Sequence, residues 1–204
     1  MTDITHMSDQ CRIDALQFME ENNIPPISTH DVFRPIQNHP RGISEEQIIQ
    51  IYKNKGFISL PISGISLKPY RPEARIQAKI DSLPKYCDGS IDSYKFTYLE
   101  VKNVIESNCK MIDKSLINNE FNTLSETEKT PFSIGFQSDF NGWLNHSRPR
   151  VGKEGCEDLD SEKEYEKIET DGMPHPGYLE SHWNLLEQEG VELAPIKRLS
   201  LIHI

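Results

Sequence analysis

The chain has 204 residues, with 22 Lys and Arg against 32 Asp and Glu, for a formal net charge of −10. That balance argues against a nucleic-acid partner, because a phosphate backbone is held by clustered cations. A hydrophobic fraction of 36% and a mean hydropathy of −0.59 allow one domain with a core, include no apolar run long enough to span a membrane, and are polar for a complete parallel barrel.

In chain order the rhythm is strand, helix, strand, helix, which favours a parallel α/β architecture. Residues 1–6 read as a strand. Ser8 or Asp9 caps a helix over about 9–22, with Ile13, Leu16, Phe18 and Met19 inward and Asn22-Asn23 at its end. Pro25-Pro26 leaves room for a short strand at 26–29. Ser44 with Gln47 has the spacing of a capping box, and Ile48, Ile49 and Tyr52 make the apolar face of a helix that ends near Gly56. A strand follows at 57–62, then helices at about 72–82 and 93–113. The second of these carries Tyr94, Phe96, Tyr98, Leu99, Val101, Val104 and Ile105, which read as core. Residues 114–130 are polar and read as a loop. Residues 132–137 form the last strand, and a final helix covers about 177–189 with Leu179, Trp183 and Leu186 inward. The acidic run from Glu157 to Glu169 reads as a solvated face. Cys11, Cys87, Cys109 and Cys156 show no CxxC spacing and read as free thiols. The compartment stays open.

Two histidines, His6 and His30, lie 24 residues apart, each at the end of a predicted strand with a predicted helix between them. Histidines at the C-terminal ends of successive strands are how a βα barrel builds a metal site at its catalytic face. Neutral imidazole suits zinc, and rigid strands bring the two ligands together without ordering a loop. Two unrelated histidines at strand ends would give the same spacing.

The surrounding motifs carry more. Asp3-Ile4-Thr5-His6-Met7-Ser8 is followed by Ser28-Thr29-His30-Asp31, then Arg41 at 11 residues after His30, then the helix start Ser44-Glu45-Glu46-Gln47. Farther on stands Gly135-Phe136-Gln137-Ser138-Asp139-Phe140-Asn141-Gly142. This series, over about residues 1–62 and 131–198, resembles the membrane (renal) dipeptidase family of zinc hydrolases. The resemblance implies the C-terminal half of a TIM-type (β/α)8 barrel, about strands five to eight, with insertions at about 63–130 and 144–173. Met1 is then expected to be an internal methionine. Leu199-Ser200-Leu201-Ile202-His203-Ile204 is what CTG TCT CTT ATA CAC ATC encodes, the transposase end of a common sequencing-library adapter. This tail is expected to be non-native.

The resemblance also implies roles. His6 and His30 bind one zinc of a two-zinc site. Asp139 is the general acid/base, and Arg41 binds the free carboxylate of a dipeptide. His39 and Arg34 are alternatives to Arg41, ranked lower because the offset from His30 points to Arg41. A bridging Glu, a His-x-Asp pair and a further histidine of the family pattern fall upstream of Met1, so an isolated fragment is expected to be inactive. Two positions depart from the pattern: Asn141 where the family has an acid, and Asp31 where it usually has a serine. A negative charge at 31 puts dipeptide specificity in doubt. The expected partner is a dipeptide-like small molecule, and a homodimer is left open. Two other readings stand beside this one: hydrolysis of N-acyl amino acids or esters on the same scaffold, and a barrel protein without catalysis.

Overall fold

The computed structural model describes residues 2–108, 134–137, 147–174 and 176–193. Four parallel strands form one sheet in sequential order: β1 (Thr2–Asp3), β2 (Pro26–Ser28), β3 (Phe57–Pro61) and β4 (Ile134–Gln137). Helices α1 (Asp9–Glu21) and α2 (Glu45–Lys53) make the first two crossovers. Between β3 and β4 lie α3 (Gly64–Leu67), α4 (Ala74–Ser82) and α5 (Ile91–Ser107); after β4 come α6 (Lys167–Asp171), a 3₁₀ turn at Pro176–Tyr178 and α7 (Leu179–Gln188). An open doubly wound sheet reverses its strand order at a switch point, whereas a barrel does not. The unreversed order is compatible with a segment of an α/β barrel.

Local chemistry accounts for the element ends. The Ser8 hydroxyl accepts from the Cys11 backbone N–H and starts α1, and Ser44 with Gln47 closes a complete capping box on α2. Gly56 is needed at the turn from α2 into β3, since a Cβ there would sit 1.9 Å from the Pro26 carbonyl oxygen. Inner strand β3 is covered on both faces, with Ile58, Ser59 and Leu60 all buried, as a central parallel strand should be. The core joins Ile4, Ile58, Leu60 and Ile134 of the sheet region to Leu16, Ile48, Ile51 and the α5 residues Tyr94, Tyr98, Val101 and Ile105.

Several expectations are corrected. Strand β1 is shorter than 1–6: the ladder runs on to Ile4, whose N–H donates to the Ile27 carbonyl, and a turn from Ile4 to Met7 ends it. Ile13 and Phe18 of α1 are 45% and 59% exposed, so only Leu16 and Met19 of the predicted face point inward. The acidic run is not wholly solvated. Glu169 is buried and pairs with Arg150, which also binds Asp92 (2.9 Å) and Glu189 (2.6 Å). These three carboxylates outweigh burial and raise the Arg150 pKa, and the cluster ties the 147–157 loop to α5, α6 and α7. Two of the four cysteines are not free. Cys87 and Cys156 form a disulfide across 69 residues, and Cys11 is a free, exposed thiol. The predicted loop at 114–130 and the tail at 199–204 lie outside the described residues.

The disulfide closes a long loop, so its loss should cost about 2–4 kcal/mol, the usual magnitude for a cross-link of this span. Cys156→Ser should lower the urea midpoint, and dithiothreitol should bring the wild-type protein to the same value. A midpoint insensitive to both would show that the cross-link adds no stability.

His182 on α7 is fully buried, with ring centroids 4.7 Å from Tyr94 and 4.8 Å from Trp183, and neither ring nitrogen has a hydrogen-bond partner among the described residues. Burial pushes its pKa down to about 3 from 6.5. The folded state therefore keeps the ring neutral while the unfolded chain takes up a proton as pH falls. This contribution is complete above 6.5 and is lost progressively as pH drops toward 3. His182→Leu should flatten stability against pH across that window. Urea unfolding at several pH values checks it, and an unchanged slope would exclude His182 as the source.

Candidate functional site

Three of the four sequence-predicted residues meet in one cavity. The chain ends β1 and β2 on the same side of the sheet because the strands are parallel, and His6 and His30 follow those ends. Their Nε2 atoms are 2.7 Å apart, with the ring planes nearly perpendicular at 77°. Together with Arg41, they line a cavity of about 220 Å³ whose walls include Asp31, His39, Pro61 and Ser63. A larger open groove of about 610 Å³, lined by Arg34, Tyr70 and Arg71 among others, adjoins it through His39. Asp139 and Asn141 lie outside the described residues.

The second histidine has an ordered support. His30 Nδ1 lies 2.9 Å from the Thr29 hydroxyl, which donates to Asp3 Oδ2 at 2.8 Å. The Thr5 hydroxyl donates to Asp3 Oδ1 at 2.7 Å and accepts from the Thr29 N–H at 2.8 Å. Partial burial acts to raise the Asp3 pKa, but the bonds from Thr5 and Thr29 outweigh it and bring the carboxyl below its ordinary range. His6 carries a different feature: its φ is +67°, the left-handed region that a non-glycine residue enters at a cost of about 1–2 kcal/mol.

Asp31 is explained by Arg12. The Arg12 side chain leaves α1, is wholly buried, and pairs with Asp31 Oδ2 at 3.1 Å, while the Ser28 hydroxyl donates to the same oxygen at 2.8 Å. Burial pushes the Asp31 carboxyl up in pKa, against the pull of Arg12, Ser28 and the His6 backbone N–H. Arg12 also donates to the carbonyl oxygens of Arg41 (2.9 Å), Gly42 (3.0 Å) and Met7 (3.4 Å) and to Gln47 Oε1 (3.3 Å). The Asp31 charge is thus compensated inside the protein rather than offered to a ligand. The sequence contained the pair but no signal for it, since an Arg in an amphipathic helix reads as surface.

Among the described residues no carboxylate pairs with the exposed Arg41 guanidinium; its backbone alone is held, by Arg12 at the carbonyl and by His39 Nδ1 at the N–H (3.1 Å). The alternative Arg34 is committed, donating to Asp9 (2.5 Å) and to the Gly42 carbonyl. His39 lines both cavities.

The donor set fits part of a zinc site. Two imidazoles present Nε2 to one point, and a tetrahedral ion takes four ligands. With Zn–N bonds of about 2.0–2.1 Å at a tetrahedral angle, the two nitrogens need to part by about 0.6–0.7 Å, a movement that rotation of the two rings can supply. No group of three or more potential metal ligands occurs among the described residues.

No protein-family model matches the chain, and no curated protein does. The chain is similar to an amidohydrolase of known structure from Pseudomonas aeruginosa, with 16% identity and a TM-score of 0.49 over 96% of this chain and 48% of that one. It therefore spans about half the length of that protein. A likeness of this size transfers no activity. No helix among the described residues is long and apolar enough to cross a membrane.

Removing one member of the buried pair leaves the other charge without compensation, which typically costs about 3–5 kcal/mol. Arg12→Met should therefore destabilise strongly, and Asp31→Ser in the same chain should recover part of the loss. Chemical denaturation of the two single variants and the double variant measures this coupling; additive effects would show that the pair is not the source.

Proposed function

We propose that this chain carries the C-terminal part of the active site of a zinc-dependent hydrolase resembling the membrane dipeptidases, acting on small substrates with a free carboxylate. The observation that carries the reading is the single cavity holding His6, His30 and Arg41, whose guanidinium pairs with no carboxylate among the described residues. The motif series points to all three residues. Spacing in sequence does not by itself require 24- and 11-residue separations to close on one pocket.

In this reading His6 and His30 hold zinc through Nε2. A bound zinc ion supplies Lewis acidity, lowering the pKa of water to about 7 and so providing a nucleophile at neutral pH. Arg41 orients the substrate by a two-pronged bond to its carboxylate, which a planar guanidinium makes better than an ammonium. Asp139, two residues beyond β4 in sequence as His30 is beyond β2, takes a proton from the attacking water and returns it to the leaving amine. The compensation of Asp31 by Arg12 removes the charge that counted against a dipeptide carboxylate. A two-metal centre and a dimer belong to the same proposal for the whole protein.

The test uses the full-length parent protein and a panel of dipeptides and end-blocked analogues. Hydrolysis should stop on chelation and return with zinc. His30→Ala should lower bound zinc, whereas Asp139→Asn should cut kcat by about 10²-fold or more with zinc content unchanged. Arg41→Ala should raise KM chiefly for substrates with a free carboxylate. Equal loss on blocked substrates would remove Arg41 from recognition, and a wild-type protein that binds no zinc would overturn the proposal.

A further inference from the structure

The Thr29 hydroxyl has one proton and three polar neighbours: Asp3 Oδ2 at 2.8 Å, His30 Nδ1 at 2.9 Å and Thr5 Oγ1 at 3.2 Å. An ionised carboxylate only accepts. Thr5 gives its own proton to Asp3 Oδ1 and receives the Thr29 N–H, and its neutral oxygen at 3.2 Å is a weaker acceptor for the Thr29 proton than the carboxylate at 2.8 Å. That proton therefore goes to Asp3. A short contact then remains between a hydroxyl oxygen and His30 Nδ1, and it is a hydrogen bond only if Nδ1 carries the ring proton. The Nε2 lone pair of His30 is left facing His6 Nε2, 2.7 Å away, and His6 must donate the proton between them. No described group fixes the other nitrogen of His6.

We infer that Asp3 and Thr29 are positioning residues: a carboxylate–hydroxyl relay sets the His30 tautomer so that Nε2 is permanently a ligand atom, while His6 stays free to switch. The inference deepens the zinc reading and rests on it only for the effect on metal affinity. The relay makes His30 the preset donor and His6 the adjustable one, with a single proton lying where an ion would bridge the two rings. Thr29 is β-branched and follows β2 directly, so its side chain has few rotamers and the hydroxyl is aimed by the backbone. Partners of this kind on ligating histidines typically change metal affinity 10- to 100-fold when removed.

The experiment reads imidazole ¹⁵N shifts of His30 in the metal-free chain at a pH where the ring is neutral, and zinc affinity by competition with a chromophoric chelator. Wild type and Thr29→Ser should show the proton on Nδ1. Thr29→Val should move it toward Nε2 and weaken zinc about 10- to 100-fold. Asp3→Ala is the sharper variant: with the hydroxyl intact but its acceptor gone, Thr29 can donate to Nδ1 and the proton should again move to Nε2. An Nδ1 proton retained in both Thr29→Val and Asp3→Ala would overturn the relay, even if all variants bind zinc. A tautomer that follows the relay in a protein that binds no zinc would support the relay and remove the metal reading.

Discussion

The buried guanidinium of Arg12 is the constraint on which the site depends. Its donors reach the carbonyl of Met7, next to His6; Asp31, next to His30; and the carbonyl of Arg41. Each of the three candidate residues is thus itself held, or is next in sequence to a residue that is held, by a single rigid fork. A cation with no exposure in the described structure is tolerable only because nearly all its donors are used; Nε alone lacks a partner. Arg rather than Lys is required, since a planar group with fixed angles can bind two loops and a helix side chain together. Gln47 links the same group to α2, because its Oε1 accepts from Arg12 while its Nε2 donates to Asp9.

This arrangement separates stability from chemistry in space. The parallel sheet directs the strand ends to one side, and the crossover helices pack behind them. The Arg12–Asp31 pair is buried, and the Asp31 carboxylate, which also forms part of the cavity wall, accepts from the backbone N–H of His6 and so holds its strained conformation. Strain of this kind persists only where the surroundings over-determine the conformation, and here Arg12, Ser28 and Asp31 do so together. The imidazole rings remain partly exposed and able to move the short distance that an ion would require.

Long, periodic elements were legible in the sequence, and short or charged features were not. The capped starts of α1 and α2 follow from spacing and cap chemistry, which act locally; of the α5 residues read as core, Leu99 is 37% exposed and Val104 half-buried, while the others are buried. Helices α3 and α6, of four and five residues, are too short for a 3.6-residue period to register. Ile13 and Phe18 read as core because periodicity reports an apolar face without saying whether anything covers it. The Cys87–Cys156 cross-link and the Arg150 cluster join segments remote in sequence, and pairings at that range leave no local trace. For the site, the motif order pointed to His6, His30 and Arg41, but neither Asp3–Thr29 nor Arg12–Asp31 was visible, because their roles exist only once the strands are side by side.

Charge at the site differs in sign from charge on the chain. The net charge of −10 argues against binding polyanions, yet it says little about a pocket whose carboxylates are already engaged. Asp31 is compensated by Arg12, whereas Asp3 keeps its charge, hydrogen-bonded by two neutral threonine hydroxyls, and does not line the cavity. Among the described residues the remaining formal charge at the cavity is the Arg41 guanidinium, beside two histidines with no fixed carboxylate partner. The potential of the Arg41 charge favours the anionic end of a small molecule. The same potential opposes a bare cation unless further carboxylates reach the site. The zinc reading therefore requires acidic ligands in addition to the two imidazoles, and Asp139, assigned to proton transfer, is not counted among them.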